Sequence, residues 1–253
     1  MKVAGIIAEY NPFHRGHAYQ IEETRKKTGA DVIVAVISGS FVQRGAPALF
    51  DAHARARLAL LGGADLVFVL PAANACQSAE FFARAGVKLL DGLGCVDVLS
   101  FGSECGDIRA LEELARILLD EPEDYRETLK IRLRAGEPFP AARQQALAAY
   151  LSREGENPRN AALPLSPNNI LGVEYLKALR RLRSSIKPFT ISRKGSGYHD
   201  TRLEGTFPSA SAIRLALKEN GGGLPAETER LFAGMPSPVG EAFADAVNRE
   251  GCL

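Results

Sequence analysis

The residues best equipped for chemistry in this 253-residue chain stand near its start. His14 and His17 are set three apart in His14-Arg15-Gly16-His17, and they are half of the chain's four histidines. Two imidazoles able to carry positive charge, beside the positive end of a helix, suit a polyphosphate. Gly16 lets a backbone pass close to a ligand. Far downstream, Ser209-Ala-Ser-Ala-Ile-Arg214 puts two hydroxyls and a guanidinium at a helix opening, where phosphate binds. Arg44, beside Gln43 in a Gly/Ser-rich loop, is a cation for a small carboxylate or an α-phosphate. Gly102 gives a site without Cβ for a nucleoside to pack on backbone, and Arg193 ends an apolar run where an anion would lie. Each has an everyday alternative: surface histidines, a helix cap, a turn glycine, a loop arginine.

The elements that must position these groups are legible from apolar spacing. Val3–Ala8 reads as a buried strand broken at Asn11-Pro12, with helical spacing from His17. Asp31–Ile37, Leu66–Leu70 and Val96–Phe101 read as further strands, each followed by a helix: Leu49–Leu61, Ser78 to about Leu90, and one opened by Asp107. This alternation predicts an α/β fold with a parallel sheet and helices on both faces. Ligands of such sheets sit beyond the carboxyl ends of the strands. That edge collects residues 9–17, 38–45, 71–74 and 102–104. Residues 108–165 read as a helical insertion, Ser166-Pro167 as the start of a helix to Leu179, and Phe189–Arg193 as a fifth strand. A helix opened by Ser209 is ended by Gly221–Gly223. The expected organisation is a nucleotide-binding domain over 1–215 and a short helical tail over 216–253.

Composition narrows the classes. With 46% apolar and 24% charged residues the chain can bury a full core. A net charge of +1 excludes neither nucleic acid nor membrane. No apolar run approaches membrane-spanning length and no signal pattern opens the chain, so a soluble, cytoplasmic protein without membrane partners is expected. Cys76, Cys95, Cys105 and Cys252 show no C-x-x-C spacing and no neighbouring histidine, which favours reduced structural thiols over zinc. Lys177 to Lys194 holds seven Lys or Arg and no acid. Lys177, Arg180, Arg181 and Lys194 are therefore the candidate track for an RNA backbone.

The string Ala8-Glu-Tyr-Asn-Pro-Phe-His-Arg-Gly-His-Ala-Tyr19 closely resembles the bacterial tRNA(Met) cytidine acetate ligase family, a branch of the HIGH-type nucleotidylyltransferases. Ser38-Gly-Ser-Phe-Val-Gln-Arg-Gly45, the Phe-Gly-Ser-Glu around Gly102, Pro167-Asn-Asn-Ile-Leu-Gly172, the stretch from Ile191 and Ser209-x-Ser-x-Ile-Arg214 are similar as well. The resemblance implies a Rossmann-like sheet. It implies an ATP site made by Ile7, Ala8, Glu9, Tyr10, Asn11, Pro12, Phe13, His14, Arg15, Gly16, His17, Ala18, Tyr19 and Gln20 with Gly102, Asn168, Arg193, Ser209, Ser211 and Arg214. Asn169 is a weaker candidate for the same role.

It further implies acetyl-adenylate formation from ATP and acetate, with His14, His17 and Arg44 in catalytic roles, Mg²⁺ held through ATP phosphates, and acetyl transfer to cytidine N4 of elongator tRNA(Met). The spacing of the residues supports only ATP binding with cleavage between the α- and β-phosphates. An adenylyltransferase acting on a phosphorylated pantetheine or nicotinamide precursor, or a non-catalytic ATP- and RNA-binding remnant, stays open. Family members usually run further, into a helical C-terminal region. A shortened form is therefore expected to keep adenylate formation, with tRNA docking less secure.

Overall fold

The computed structural model describes residues 1–153, 166–193, 209–225 and 228–250. Five parallel strands form one sheet in the order β3-β2-β1-β4-β5, with β1 at Val3–Ala8, β2 at Val32–Ser38, β3 at Leu66–Leu70, β4 at Val98–Ser103 and β5 at Lys187–Ser192. The expected parallel α/β sheet with helices on both faces is what forms. Side-chain alternation along β1 and β2 divides the core in two. Ile7, Val34 and Val36 face one helical layer, while Ile6, Ile33, Ala35 and Ile37 face the other. The first layer contains α4 (Ala79–Gly92), α5 (Ile108–Asp120), α6 (Glu123–Arg134) and α7 (Phe139–Arg153). It is completed by α8 (Pro167–Leu182). The short α3 (Ala72–Ala75) follows β3.

The second layer holds α1 (Arg15–Thr28), α2 (Ala52–Leu61) and α9 (Ala210–Glu219). The helices α10 (Thr228–Ala233) and α11 (Ser237–Glu250) follow, and they too pack into this core. Phe243 of α11 sits edge-on to Phe50 at 5.3 Å between ring centroids, and Arg15 N donates to Gly234 O at 2.8 Å. The tail is thus fastened to the start of α1.

Several boundaries differ from the sequence expectation by a few residues, β5 for one running over Lys187–Ser192, and three of them have a local reason. The helix expected from His17 starts at Arg15, because the side chain of His14 caps it. The helix expected from Leu49 starts at Ala52, since Asp51 is its N-cap, while Leu49 and Phe50 are buried ahead of it. The fourth strand, expected over Val96–Phe101, runs over Val98–Ser103, paired with β5 through Gly102 and Ser103. Pro140 falls in the first turn of α7, where a missing N–H costs nothing.

Candidate nucleotide site

The sheet order reverses between β1 and β4, and the candidate residues gather beyond the carboxyl ends of those strands. The chain leaves β1 through Tyr10, whose φ of 47° is left-handed, a conformation uncommon outside glycine. Packing holds it there: Tyr10 is 1% exposed and meets the Phe13 and His17 rings edge-on at 4.9 and 4.8 Å. Asn11 Oδ1 accepts from Leu49 N at 2.7 Å, which ties this loop to the chain ahead of α2.

Each residue of His14-Arg15-Gly16-His17 has a separate physical task. His14 Nδ1 accepts from Gly16 N at 3.0 Å, and His17 Nδ1 accepts from His14 N at 3.2 Å, a capping box built from two imidazoles. The rings stack at 3.7 Å between centroids. A Cβ on Gly16 would lie 2.8 Å from His14 Cε1, so only glycine lets the ring fold back over the first turn. With both Nδ1 atoms accepting, the proton of each neutral ring is on Nε2.

Both rings are neutral. Burial, helped by the charges of Arg193 and Arg214, pushes His14 down to about 3, and burial with His14 and Arg193 holds His17 well below the ordinary imidazole range. This corrects the expectation of imidazoles that can carry positive charge: the pair offers N–H donors, and the nearby positive charge is that of the two guanidiniums. The backbone amides at the start of α1 are occupied as well. Arg15 N is taken by Gly234 O, Gly16 N by His14 Nδ1 and His17 N by His14 O, so the first turn of α1 is already satisfied.

Arg214 reaches back from α9 to this loop. Its Nη1 donates to Asn11 O at 2.5 Å and its Nη2 to Ser211 Oγ at 3.1 Å. Ser209 caps α9 by accepting from Ala212 N at 3.0 Å. On the other side Arg193, just past β5, crosses over Gly102, where a Cβ would stand 3.3 Å from Arg193 Cγ. Arg193 Nη1 donates to Asn168 Oδ1 at 3.3 Å, and Asn168 Nδ2 donates to Glu104 Oε1 at 2.6 Å. The structure therefore brings together His14, His17, Asn11, Gly102, Asn168, Arg193, Ser211 and Arg214. Ile7, Tyr10 and Phe13 place their side chains in the core, which leaves backbone as their means of touching a ligand. Ala18, Tyr19 and Gln20 are half-buried on α1.

Arg44 stands exposed on a turn closed by Gly45 N donating to Val42 O at 2.8 Å. That loop is latched to β1 by Gln43 N, which donates to Glu9 Oε1 at 2.9 Å. Two residues that sequence reasoning passed over or set low complete the frame. Arg55 is fully buried and donates to Phe50 O, Glu9 O, Ser38 O and Gly39 O, clamping the ends of β1 and β2. Asn169, also fully buried, accepts from the backbone N–H groups of Glu104 and Cys105, so its role is to join α8 to β4. The signal was an Arg shortly after the Asp51 cap, in a helix with Ala and Leu at most other positions, and an Asn doublet at a helix start.

The basic run does not form one track. Lys177 is 6% exposed and paired with buried Glu174 at 2.8 Å, so it is a core ion pair and not an RNA contact. Arg181 is exposed but bound to Glu80, and Arg180 is exposed at the end of α8. Lys187 opens β5 and Arg193 follows its last residue, at opposite ends of the strand about 20 Å apart. Lys194 lies outside the described residues.

A family model described as HIGH Nucleotidyl Transferase matches residues 1–251. The chain is 50% identical over 214 residues to a tRNA(Met) cytidine acetate ligase of Acetivibrio thermocellus, covering 85% of this chain and 51% of that one. It is 42% identical over 257 residues to one of Alkaliphilus metalliredigens, covering 99% of this chain and 59% of the relative. The chain thus spans about half the length of the curated relatives it matches. Thermotoga maritima TmcAL in its apo form I superposes with a TM-score of 0.93 at 39% identity, over 100% of this chain and 59% of that one. The same protein bound with alpha-thio ATP gives 0.87 at 39% identity, over 98% and 56%. With a model match over nearly its whole length and a His-x-Gly-His turn at the reversal of its sheet, the chain belongs to the HIGH nucleotidyl transferase family.

Proposed function

We propose that the chain binds ATP, joins acetate to its α-phosphorus with release of pyrophosphate, and passes the acetyl group to N4 of the wobble cytidine of elongator tRNA(Met). One observation carries this reading: His14, His17, Arg193 and Arg214 gather at the sheet's reversal point, in a chain similar to proteins of that name. A carboxylate oxygen of acetate attacks the α-phosphorus as the bond to the pyrophosphate oxygen breaks. The cytidine amine then attacks the acetyl carbonyl, loses a proton, and AMP departs. Neither step needs a protein nucleophile, so the protein acts by position and electrostatics.

His14 and His17 would donate from Nε2 to the triphosphate, and Ser209, Ser211 and Arg214 would hold the β- and γ-phosphates. Gly102, Asn168 and Arg193 would bind the nucleoside side, and Arg44 the acetate or α-phosphate. Among the described residues no three carboxylate, imidazole or thiol groups gather. Mg²⁺, which supplies charge neutralisation when bound, would accordingly be held through phosphate oxygens. Residues 1–215 form the ATP-binding unit in this reading, with 216–253 as its helical tail. The test is incubation with labelled acetate, ATP and tRNA(Met), followed by nucleoside analysis. N4-acetylcytidine that requires ATP supports the reading; label that enters a phosphorylated small molecule and never tRNA contradicts it.

A further inference from the structure

The side-chain amide of Asn168 is held in one orientation by neighbours of opposite chemistry. An ionised carboxylate only accepts hydrogen bonds and a guanidinium only donates them. Glu104 Oε1 accepts from Asn168 Nδ2 at 2.6 Å, while Arg193 Nη1 donates to Asn168 Oδ1 at 3.3 Å. Turning the amide over would set NH₂ against guanidinium and carbonyl against carboxylate. Glu104 is itself fixed: its Oε2 accepts from Ser166 Oγ at 2.6 Å and from Asn169 N at 3.0 Å. Burial works to raise its pKa, but the hydrogen bonds from Ser166 and Asn168 hold it below the ordinary value, so it is ionised near neutrality.

We propose that Glu104 is a positioning residue of the nucleotide site: it fixes the Asn168 amide with its carbonyl on the Arg193 side, so that on that side Asn168 meets the nucleotide as an acceptor, toward a ribose hydroxyl or base amine and not a phosphate oxygen. The proposal rests on the ATP reading given above. Fold maintenance alone is a poor account of Glu104, because it is an exposed residue whose carboxylate is only partly covered, and contacts in such places add little stability. The docking of α8 on β4 is secured separately by buried Asn169, which bonds the backbone of Glu104 and Cys105. Oε2 of the carboxylate caps the start of α8 through Ser166 and Asn169, while Oε1, opposite Arg193, sets which way the Asn168 amide faces.

The test is a double-mutant cycle on ATP affinity, by calorimetry, with thermal midpoints measured alongside. Glu104→Gln and Asn168→Asp each break the pairing, the second by opposing two carboxylates, and each should weaken ATP binding about tenfold. The double variant should return to within about threefold of wild type. A Gln amide then donates to an Asp carboxylate whose other oxygen still accepts from Arg193, and the net charge of the pair is unchanged. Wild-type affinity in Glu104→Gln, or losses that simply multiply in the double variant, would overturn the proposal. A wild-type chain that binds no ATP would overturn the functional reading and the proposal with it.

Discussion

At the scale of single residues, the His-x-Gly-His turn shows how much residue type leaves open. Its spacing suits a phosphate, but the charge on its rings depends on burial and on what each Nδ1 accepts, which only the fold supplies. The neutral rings carry a pH signature. A histidine whose pKa is about 6.5 unfolded and about 3 folded binds more protons in the unfolded state between those values. Its contribution to stability is therefore whole above pH 6.5 and is lost as pH falls toward 3. His14→Asn keeps a capping acceptor but cannot titrate, so unfolding measured from pH 7 to 5 should fall less steeply than in wild type, by up to about 1.4 kcal/mol per pH unit. An equal or steeper slope would mean that His14 is charged in the native state. His17→Ala removes the acceptor for His14 N–H and, in the proposed reaction, a donor to the triphosphate. Turnover should drop about 10²–10³-fold, with a stability loss of about 1 kcal/mol, read from initial rates and denaturant midpoints.

At the scale of elements, the strands and most helices were legible because apolar runs and caps are local signals. Helix α1 was misjudged by two residues, since His is not a favoured cap and only the Gly16 geometry makes it one. What no local pattern reveals is how loops from separate strands are held in register. Arg55 does this from inside α2, with its guanidinium spread over carbonyls from β1, β2 and Phe50. Arg55→Met should lower stability by about 3 kcal/mol or more, because it leaves those carbonyls buried and unpaired. A change under about 1 kcal/mol in urea unfolding would show that the clamp is dispensable. The sequence makes Lys177 a candidate for an RNA-backbone track, whereas α8 turns it inward onto Glu174. Lys177→Ala should therefore cost about 3 kcal/mol, less what Arg143 offsets through its own contact with Glu174 at 3.3 Å, and leave the salt dependence of tRNA binding unchanged.

Over the whole molecule, one sheet and two helical layers hold the candidate nucleotide-site residues that the structure describes, with a tail fastened to the start of α1. The parallel order and the binding edge were readable because strands and helices alternate; the joining of α9 to the β1 loop through Arg214 was not, since more than 200 residues separate Asn11 from Arg214. Charge patterning was the weakest guide. A run of basic residues in sequence is divided by α8 and β5 between the core, one face and the two ends of a strand. Of that run, Arg180 at the end of α8 is still suited to a phosphate. Arg180→Ala should flatten the salt dependence of tRNA binding by about one unit of slope, without changing ATP affinity. An unchanged slope would place the RNA contacts elsewhere.

The central claim, that this site activates acetate on ATP, is tested most directly by exchange of labelled pyrophosphate into ATP with the 253-residue chain. Exchange should depend on acetate, need no tRNA, and weaken by about 1–3 kcal/mol in apparent acid binding when propionate replaces acetate. Exchange indifferent to acetate, but driven by a phosphorylated pantetheine or nicotinamide precursor, would contradict the account.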